Sequence, residues 1–177
     1  MKGFNRKNQL FSLCGLNCGL CTMHLDGHCG GCGNGNQSCK IARCSLEHGS
    51  VEYCCECPRY PCEKYEKIDE YDSFITHRKQ KADMEKLRII GVGHYNAEQE
   101  EKVQMLGYLL SFCNDGRRKT LFCLAVNLLE LSDVRAIVDQ LMASDLSTVK
   151  ERAVYAAALL QEVAGEKGIT LKLNRKK

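Results

Sequence analysis

Ten cysteines in the first third of the chain have the spacing of metal ligands: Cys14-x3-Cys18-x2-Cys21-x7-Cys29-x2-Cys32-x6-Cys39-x4-Cys44-x9-Cys54-x2-Cys57-x4-Cys62. Three C-x2-C pairs recur, Cys18 with Cys21, Cys29 with Cys32 and Cys54 with Cys57. Two thiolates at this spacing converge on one ion when the turn between them is tight, and glycines beside them let backbone amides face the sulfur. Cys29-Gly30-Gly31-Cys32-Gly33 has that composition. Cys57-Pro58-Arg59-Tyr60-Pro61-Cys62 adds a stiffened turn that holds both prolines of the chain, and a restricted backbone beside ligands loses less entropy on binding.

Zinc is the favoured ion, because it takes four thiolates in a closed tetrahedron and a structural site contributes on the order of 10 kcal/mol of folding free energy. The ten cysteines could fill two such sites with two thiols to spare. A sequential arrangement would use Cys18, Cys21, Cys29 and Cys32 for one ion, and Cys39, Cys44, Cys54 and Cys57 or Cys62 for the other. A cross-braced arrangement would interleave them, and the spacing leaves both open. His24 and His28 could each replace a thiolate but read as exposed loop histidines. Cys55 adjoins Cys54, and neighbouring residues seldom point at one ion, so it reads as a spare thiol.

Thiolates also hold iron–sulfur clusters, which makes such a cluster the alternative cofactor, although the ferredoxin run C-x2-C-x2-C-x3-C-P is absent. Cys14-x3-Cys18-x2-Cys21 has the spacing of radical SAM enzymes, but nothing after Cys62 alternates strand and helix as their barrel requires. Disulfides are disfavoured by the odd total of 13 cysteines and by the N-terminus. Lys2, Arg6 and Lys7 there precede no apolar h-region and no small-residue cleavage site. The expected compartment is therefore the cytoplasm, where thiols stay reduced. The best apolar run, Leu121 to Leu129, is broken by Asn127 and falls far short of the roughly 20 residues that span a bilayer.

The elements that must position these thiols divide the chain in two. Up to about residue 62 the sequence is glycine-rich and poor in long apolar runs, so metal coordination is expected to do what a hydrophobic core cannot. From Glu63 the pattern becomes helical. Charged segments over 63–71 and 83–90 precede a stop at Gly91. Asn96 with Gln99 three residues on reads as a capping box for a helix with Val103, Leu106, Leu110 and Cys113 inward. Asn114-Asp115-Gly116 ends it. The next helix carries Leu121, Phe122, Ala125, Leu128 and Leu129. A further one, capped by Ser132, carries Val134, Ile137, Val138, Leu141 and Met142. The last, capped by Asp145 or Ser147, carries Val149, Ala153, Ala156 and Leu160. The expected fold is mostly α: a cysteine-rich, metal-stabilised module with little regular structure over 1–66, a helical connector over 67–95, and a four-helix bundle-like region with a basic tail over 96–177. Cys113 and Cys123 read as buried core thiols.

The net charge of +3 is too small to imply nucleic acid or an anionic membrane. Metallation would lower it further. Residues 1–79 hold ten Lys and Arg against nine Asp and Glu, and each four-thiolate zinc site adds about two negative charges. Two sites would turn that half from +1 to about −3, which counts against phosphate binding as its task. Arg117, Arg118, Lys119 and the tail Arg175, Lys176 and Lys177 keep nucleic acid as the lesser alternative. No aromatic platform for stacking bases accompanies them. Gly30-Gly31-x-Gly33-x-Gly35 sits inside the ligand knuckle and does not follow a strand, so it is no phosphate loop. No Ser, His, Asp or Glu arrangement completes an active site, so a non-catalytic module with a protein partner is expected over an enzyme.

The blocks Cys14-Gly15-Leu16-Asn17-Cys18-Gly19-Leu20-Cys21, Cys29-Gly30-Gly31-Cys32, Cys39-Lys40-Ile41-Ala42-Arg43-Cys44, Cys54 to Cys57 and Tyr60-Pro61-Cys62 together resemble the domain of unknown function 3795 family. These are small cysteine-rich proteins of bacteria and archaea. The resemblance covers about residues 12–66, and the segment from Asn114 to Ala125 is similar to an extension that some members carry. It implies a metal-binding module, with zinc the expected ion, and no particular activity. Cys55 departs from the family's pattern, in keeping with a non-ligand.

Overall fold

Helices are short and sparse where glycine and cysteine dominate, and long where apolar residues recur at helical spacing. The computed structural model describes residues 1–176. In it, α1 (Thr22–Leu25) and α2 (Lys40–Glu47) are followed by α3 (Gln80–Ile90), α4 (Val92–Phe112), α5 (Lys119–Leu128), α6 (Leu131–Met142) and α7 (Val149–Glu166). Short 3-10 turns lie at Cys18–Leu20, Cys54–Glu56 and Glu63–Tyr65. Among the described residues, β pairing is confined to an isolated bridge between Phe11 and Asn17. The chain is thus mostly α, with an N-terminal region of little regular structure followed by a helical bundle. No helix among the described residues is long and apolar enough to cross a membrane.

The fold separates into two units, one of Met1–Gln99 with the chain from Asn174 on, the other of Glu100–Leu173. In the first unit the cysteine-rich segment has a modest apolar core. Phe11, Leu13, Leu20 and Tyr53 are buried, as are Met84 and Leu87 of α3 and Tyr95 of α4, and α3 packs on the 3-10 turn Cys54–Glu56. Gly15 marks how close this packing is. Its φ is +97°, and a Cβ there would meet the Gln80 carbonyl oxygen at 2.8 Å, so no larger residue fits.

The expected helix over 63–71 is absent beyond one 3-10 turn. Glu66 O, which would accept from residue 70 in such a helix, is taken by Lys81 Nζ at 2.9 Å, and Glu70 N donates to Lys67 O at 3.3 Å instead. Nor does Asn96 start a helix. α4 begins directly after Gly91, and the Asn96 side chain instead accepts from the Tyr53 hydroxyl at 2.9 Å. Here a tertiary partner has claimed a side chain that is otherwise suited to capping.

In the second unit, α7 packs against α5 and α6. The inward stripe of α4 runs through Lys102, Leu106 and Leu109 and continues to Cys113 just past its end, shifted from the expected one that included Val103 and Leu110. Lys102 is what the hydropathy pattern missed. It is buried, and its ammonium donates to Leu129 O at 2.7 Å, where cations complement the C-terminal end of α5. The caps also lie near rather than at the expected residues. Glu130 precedes α6, and Thr148 caps α7. Cys113 and Cys123 are both buried.

Candidate metal centre

All thirteen cysteines are free thiols. The ten expected ligands fall into two neighbourhoods, which share one side chain's reach.

The first neighbourhood gathers around Cys18. That thiol is pushed up to about 12 by burial, then by the charges of Cys32, Cys14, Cys21 and Cys29. Cys14 is pushed up to about 11, again mainly by burial, with the Ser12 hydroxyl and the Leu16 amide opposing and Cys32 and Cys39 reinforcing. Ser12 Oγ lies 3.2 Å from Cys14 Sγ and accepts from Leu16 N at 2.8 Å. The turns that carry these thiols are closed by the chain itself: Cys21 N donates to Cys18 O at 3.1 Å, and Gly35 N to Gly31 O at 2.9 Å. A Cβ at Gly35 would collide with Cys29 Sγ, so the glycine run lets the main chain approach sulfur. Cys32 is raised by burial, while the Leu13 amide and Arg6 pull the other way.

Arg6 is the cation of this region and carried no local signal in the sequence. It is buried, donates to Phe11 O at 2.6 Å, and lies 5.1 Å from the centre of the Tyr53 ring. A fixed guanidinium beside thiols offsets the negative charge that two or more thiolates would carry.

The second neighbourhood surrounds a cavity of about 30 Å³. Cys44, Cys54, Cys57 and Cys62 all line it, together with His48 and Tyr65. Cys44 comes from α2, Cys54 and Cys57 flank a 3-10 turn, and Cys62 precedes the next one. Cys54 is pushed up to about 12, mainly by burial, with Tyr65 lowering it and Cys14, Cys62 and Cys44 raising it. Its response to Cys14 connects the two neighbourhoods. His48 Nδ1 is 2.8 Å from Cys44 O and 3.6 Å from Cys44 Sγ; neither His48 nor Tyr65 stood out in the sequence.

Other residues stand where the sequence suggested or close to it. Cys55 is absent from the cavity lining, and the groups acting on it most strongly after its own burial include Glu56, Arg88 and Glu85, with no cysteine among them. His28 is exposed, while His24 is half-buried with Nδ1 at 2.8 Å from Cys29 O. As the side chains stand, no group of three or more His, Cys, Asp or Glu among the described residues is arranged so as to hold a metal ion. The donor set nevertheless suits a thiophilic ion. Several of these sulfurs act on one another electrostatically, and a coordinated cation would offset the cost that burial and neighbouring sulfurs impose on the thiolate forms of Cys14, Cys18 and Cys54.

No family model matches the chain. No curated protein and no solved structure matches it either.

The basic tail is partly tied down. Asn174 N donates to Asp72 Oδ2 at 2.7 Å, and Asp72 N donates back to Asn174 O at 2.7 Å. Arg118, at the start of α5, pairs with Asp115.

Proposed function

We propose that this chain is a metal-binding protein whose cysteine-rich half holds zinc in thiolate sites and acts as a non-catalytic structural and interaction module. The observation that carries this reading is the gathering of Cys44, Cys54, Cys57 and Cys62 around one cavity, beside a second group in which burial and neighbouring sulfurs raise Cys14, Cys18 and Cys32. Buried thiols stay neutral in a metal-free chain and make only weak hydrogen bonds, whereas a thiophilic ion lets the grouped sulfurs bind as thiolates and contributes that binding to folding free energy. The resemblance of the cysteine blocks to the 3795 family points the same way.

The expected partner is a protein. Two four-thiolate sites would make the metal half acidic, which counts against phosphate binding as its task.

Elemental analysis of the full chain purified without oxygen tests the reading. About two zinc ions per chain and colourless protein are expected. A brown protein containing iron and sulfide would replace zinc with an iron–sulfur cluster. A chain that is folded and holds no metal would overturn metal binding altogether.

A further inference from the structure

We propose that Cys44, Cys54, Cys57 and Cys62 form one closed four-thiolate site, separate from the other six ligand cysteines, and that the Tyr65 hydroxyl is its outer hydrogen-bond donor, directed to Cys54. This rests on the metal-binding reading and adds the division of the ligands and a positioning residue.

The four thiols come from a single stretch of chain and all stand among the candidates for the second site of a sequential arrangement, which leaves open how Cys39, Cys57 and Cys62 share it. The fold narrows this. α2 ends at Glu47, and the chain turns back so that Ser45 Oγ donates to Val51 O at 3.2 Å. That return brings Cys44 to the same cavity as the Cys54–Cys57 turn. Cys57 N donates to Cys54 O at 3.0 Å, the tight closure that a C-x2-C knuckle needs. Tyr60 N then donates to Cys57 O at 3.0 Å, and Tyr65 N to Cys62 O at 2.8 Å, so the main chain brings Cys62 back to the same wall. Cys39, the remaining candidate from a sequential assignment, does not line the cavity, and neither does Cys55.

Tyr65 supplies an independent sign of a missing interaction. It is 3% exposed and lines this cavity; its hydroxyl makes no hydrogen bond of ordinary geometry, and the group best placed to serve as its acceptor is the Cys54 sulfur, whose thiolate it would stabilise. A buried phenol without a well-formed hydrogen bond is destabilising, and such groups call for an explanation. A neutral thiol is a weak acceptor, whereas a metal-bound thiolate accepts strongly. Cys54 is the cysteine whose charge acts on Tyr65 most strongly. Ionising Cys54 on a metal therefore gives the orphaned hydroxyl its acceptor. Outer donors of this kind fix a ligand's orientation and tune the metal. Lys64 also lines the cavity and offsets part of the charge of four thiolates around a divalent ion.

The test footprints thiols in the full-length wild-type chain after zinc loading, with bound zinc measured in the same sample and a chelator-treated sample as control. Cys44, Cys54, Cys57 and Cys62 are expected to be protected together from alkylation, and to become reactive together when that ion is removed, while Cys55 labels throughout. If zinc is bound but any of the four labels as fast as Cys55, or if Cys39 is protected and released with them, the division is overturned. If no zinc binds, it is the metal reading beneath the division that fails. The variants C44S and C62S are each expected to lose one ion relative to wild type and C55S none; a full count in C44S or C62S also overturns the site. Tyr65 is read separately with cobalt in place of zinc. Y65F is expected to keep the ion count, to shift the thiolate-to-cobalt absorption and to weaken metal affinity about tenfold or more. An unchanged spectrum and affinity would remove Tyr65 from the site.

Discussion

Arg6 and Glu52 are joined through both main chain and side chain: Arg6 Nε and Nη2 donate to the Glu52 carbonyl oxygen at 3.1 and 2.7 Å, and Nη2 lies 3.2 Å from the Glu52 carboxylate. The same carboxylate accepts from Asn8 N at 2.9 Å. The Arg6 side chain is almost wholly buried, whereas Glu52 retains some contact with water, so the guanidinium acts as an internal clamp between the N-terminal strap and the residue before Tyr53. Arg6→Ala would leave the carbonyls of Phe11 and Glu52 short of a charged donor. It should cost about 3 kcal/mol, read as a shift in the urea midpoint of the zinc-loaded chain. Arg6→Lys should recover only part of this, since an ammonium cannot reproduce the guanidinium fork. Equal stability in all three proteins would refute the clamp.

The second unit contains a complete capping box. Thr148 Oγ1 accepts from Glu151 N at 3.2 Å, and Glu151 Oε2 accepts from Thr148 N at 2.9 Å. Thr148→Ala should destabilise α7 by about 1 kcal/mol. The Thr148 hydroxyl is also the chief reason that the Glu151 carboxyl sits below its ordinary 4.5. A depressed folded value means that the contribution is present above pH 4.5 and lost as pH falls through the lower folded value. Thermal unfolding of wild type should therefore weaken more on acidification than that of Thr148→Ala. Parallel acid profiles would show that Glu151 takes no part.

The sequence points to Asp145 or Ser147 as the cap of α7, although Thr148 and Glu151 stand three residues apart in the spacing of a capping box. The ligand thiols of a C-x2-C knuckle likewise carry their geometry in their spacing. Helices α5 to α7 were readable because apolar residues recur with the helical period. Arg6 meets Glu52 from 46 residues away, and Asp72 meets Asn174 from 102; no local pattern encodes either. The same holds for Tyr65 in the thiol cavity. Lys102 misled the stripe of α4 for a related reason, because a lysine is buried only when distant carbonyls receive it.

Two glycines should respond to alanine in opposite directions. Gly15 combines a φ of +97° with a Cβ position 2.8 Å from Gln80 O, so Gly15→Ala meets both backbone strain and main-chain contact and should destabilise the first unit by about 2 kcal/mol. Gly107 lies within α4, is exposed, and has nothing within 4 Å of its would-be Cβ. There, alanine should stabilise by about 1 kcal/mol through helix propensity alone. Chemical denaturation of both variants reads the contrast, and a stable Gly15→Ala would place the approach of Gln80 in error.

Alkali and acid should act oppositely on the metal-free and zinc-loaded chains. In the metal-free fold, burial raises Cys14 from 9.0 to about 11, and Cys18 and Cys54 to about 12. Folding thus favours the neutral thiol at all three positions, and the folded chain keeps protons that the unfolded chain releases near 9.0. This part of the stability is present below pH 9 and lost as pH rises through about 11 and 12. With zinc bound the ligands are already thiolates, so rising pH takes nothing from them. Falling pH instead returns protons to sulfur and expels the ion. Thermal unfolding of the chelator-treated chain should therefore weaken above pH 9, while the zinc-loaded chain holds there and weakens in acid. Zinc uptake at neutral pH should also release protons to the buffer, countable by calorimetry in buffers of different ionisation enthalpy. Uptake without proton release would mean that the raised thiols are not the ligands.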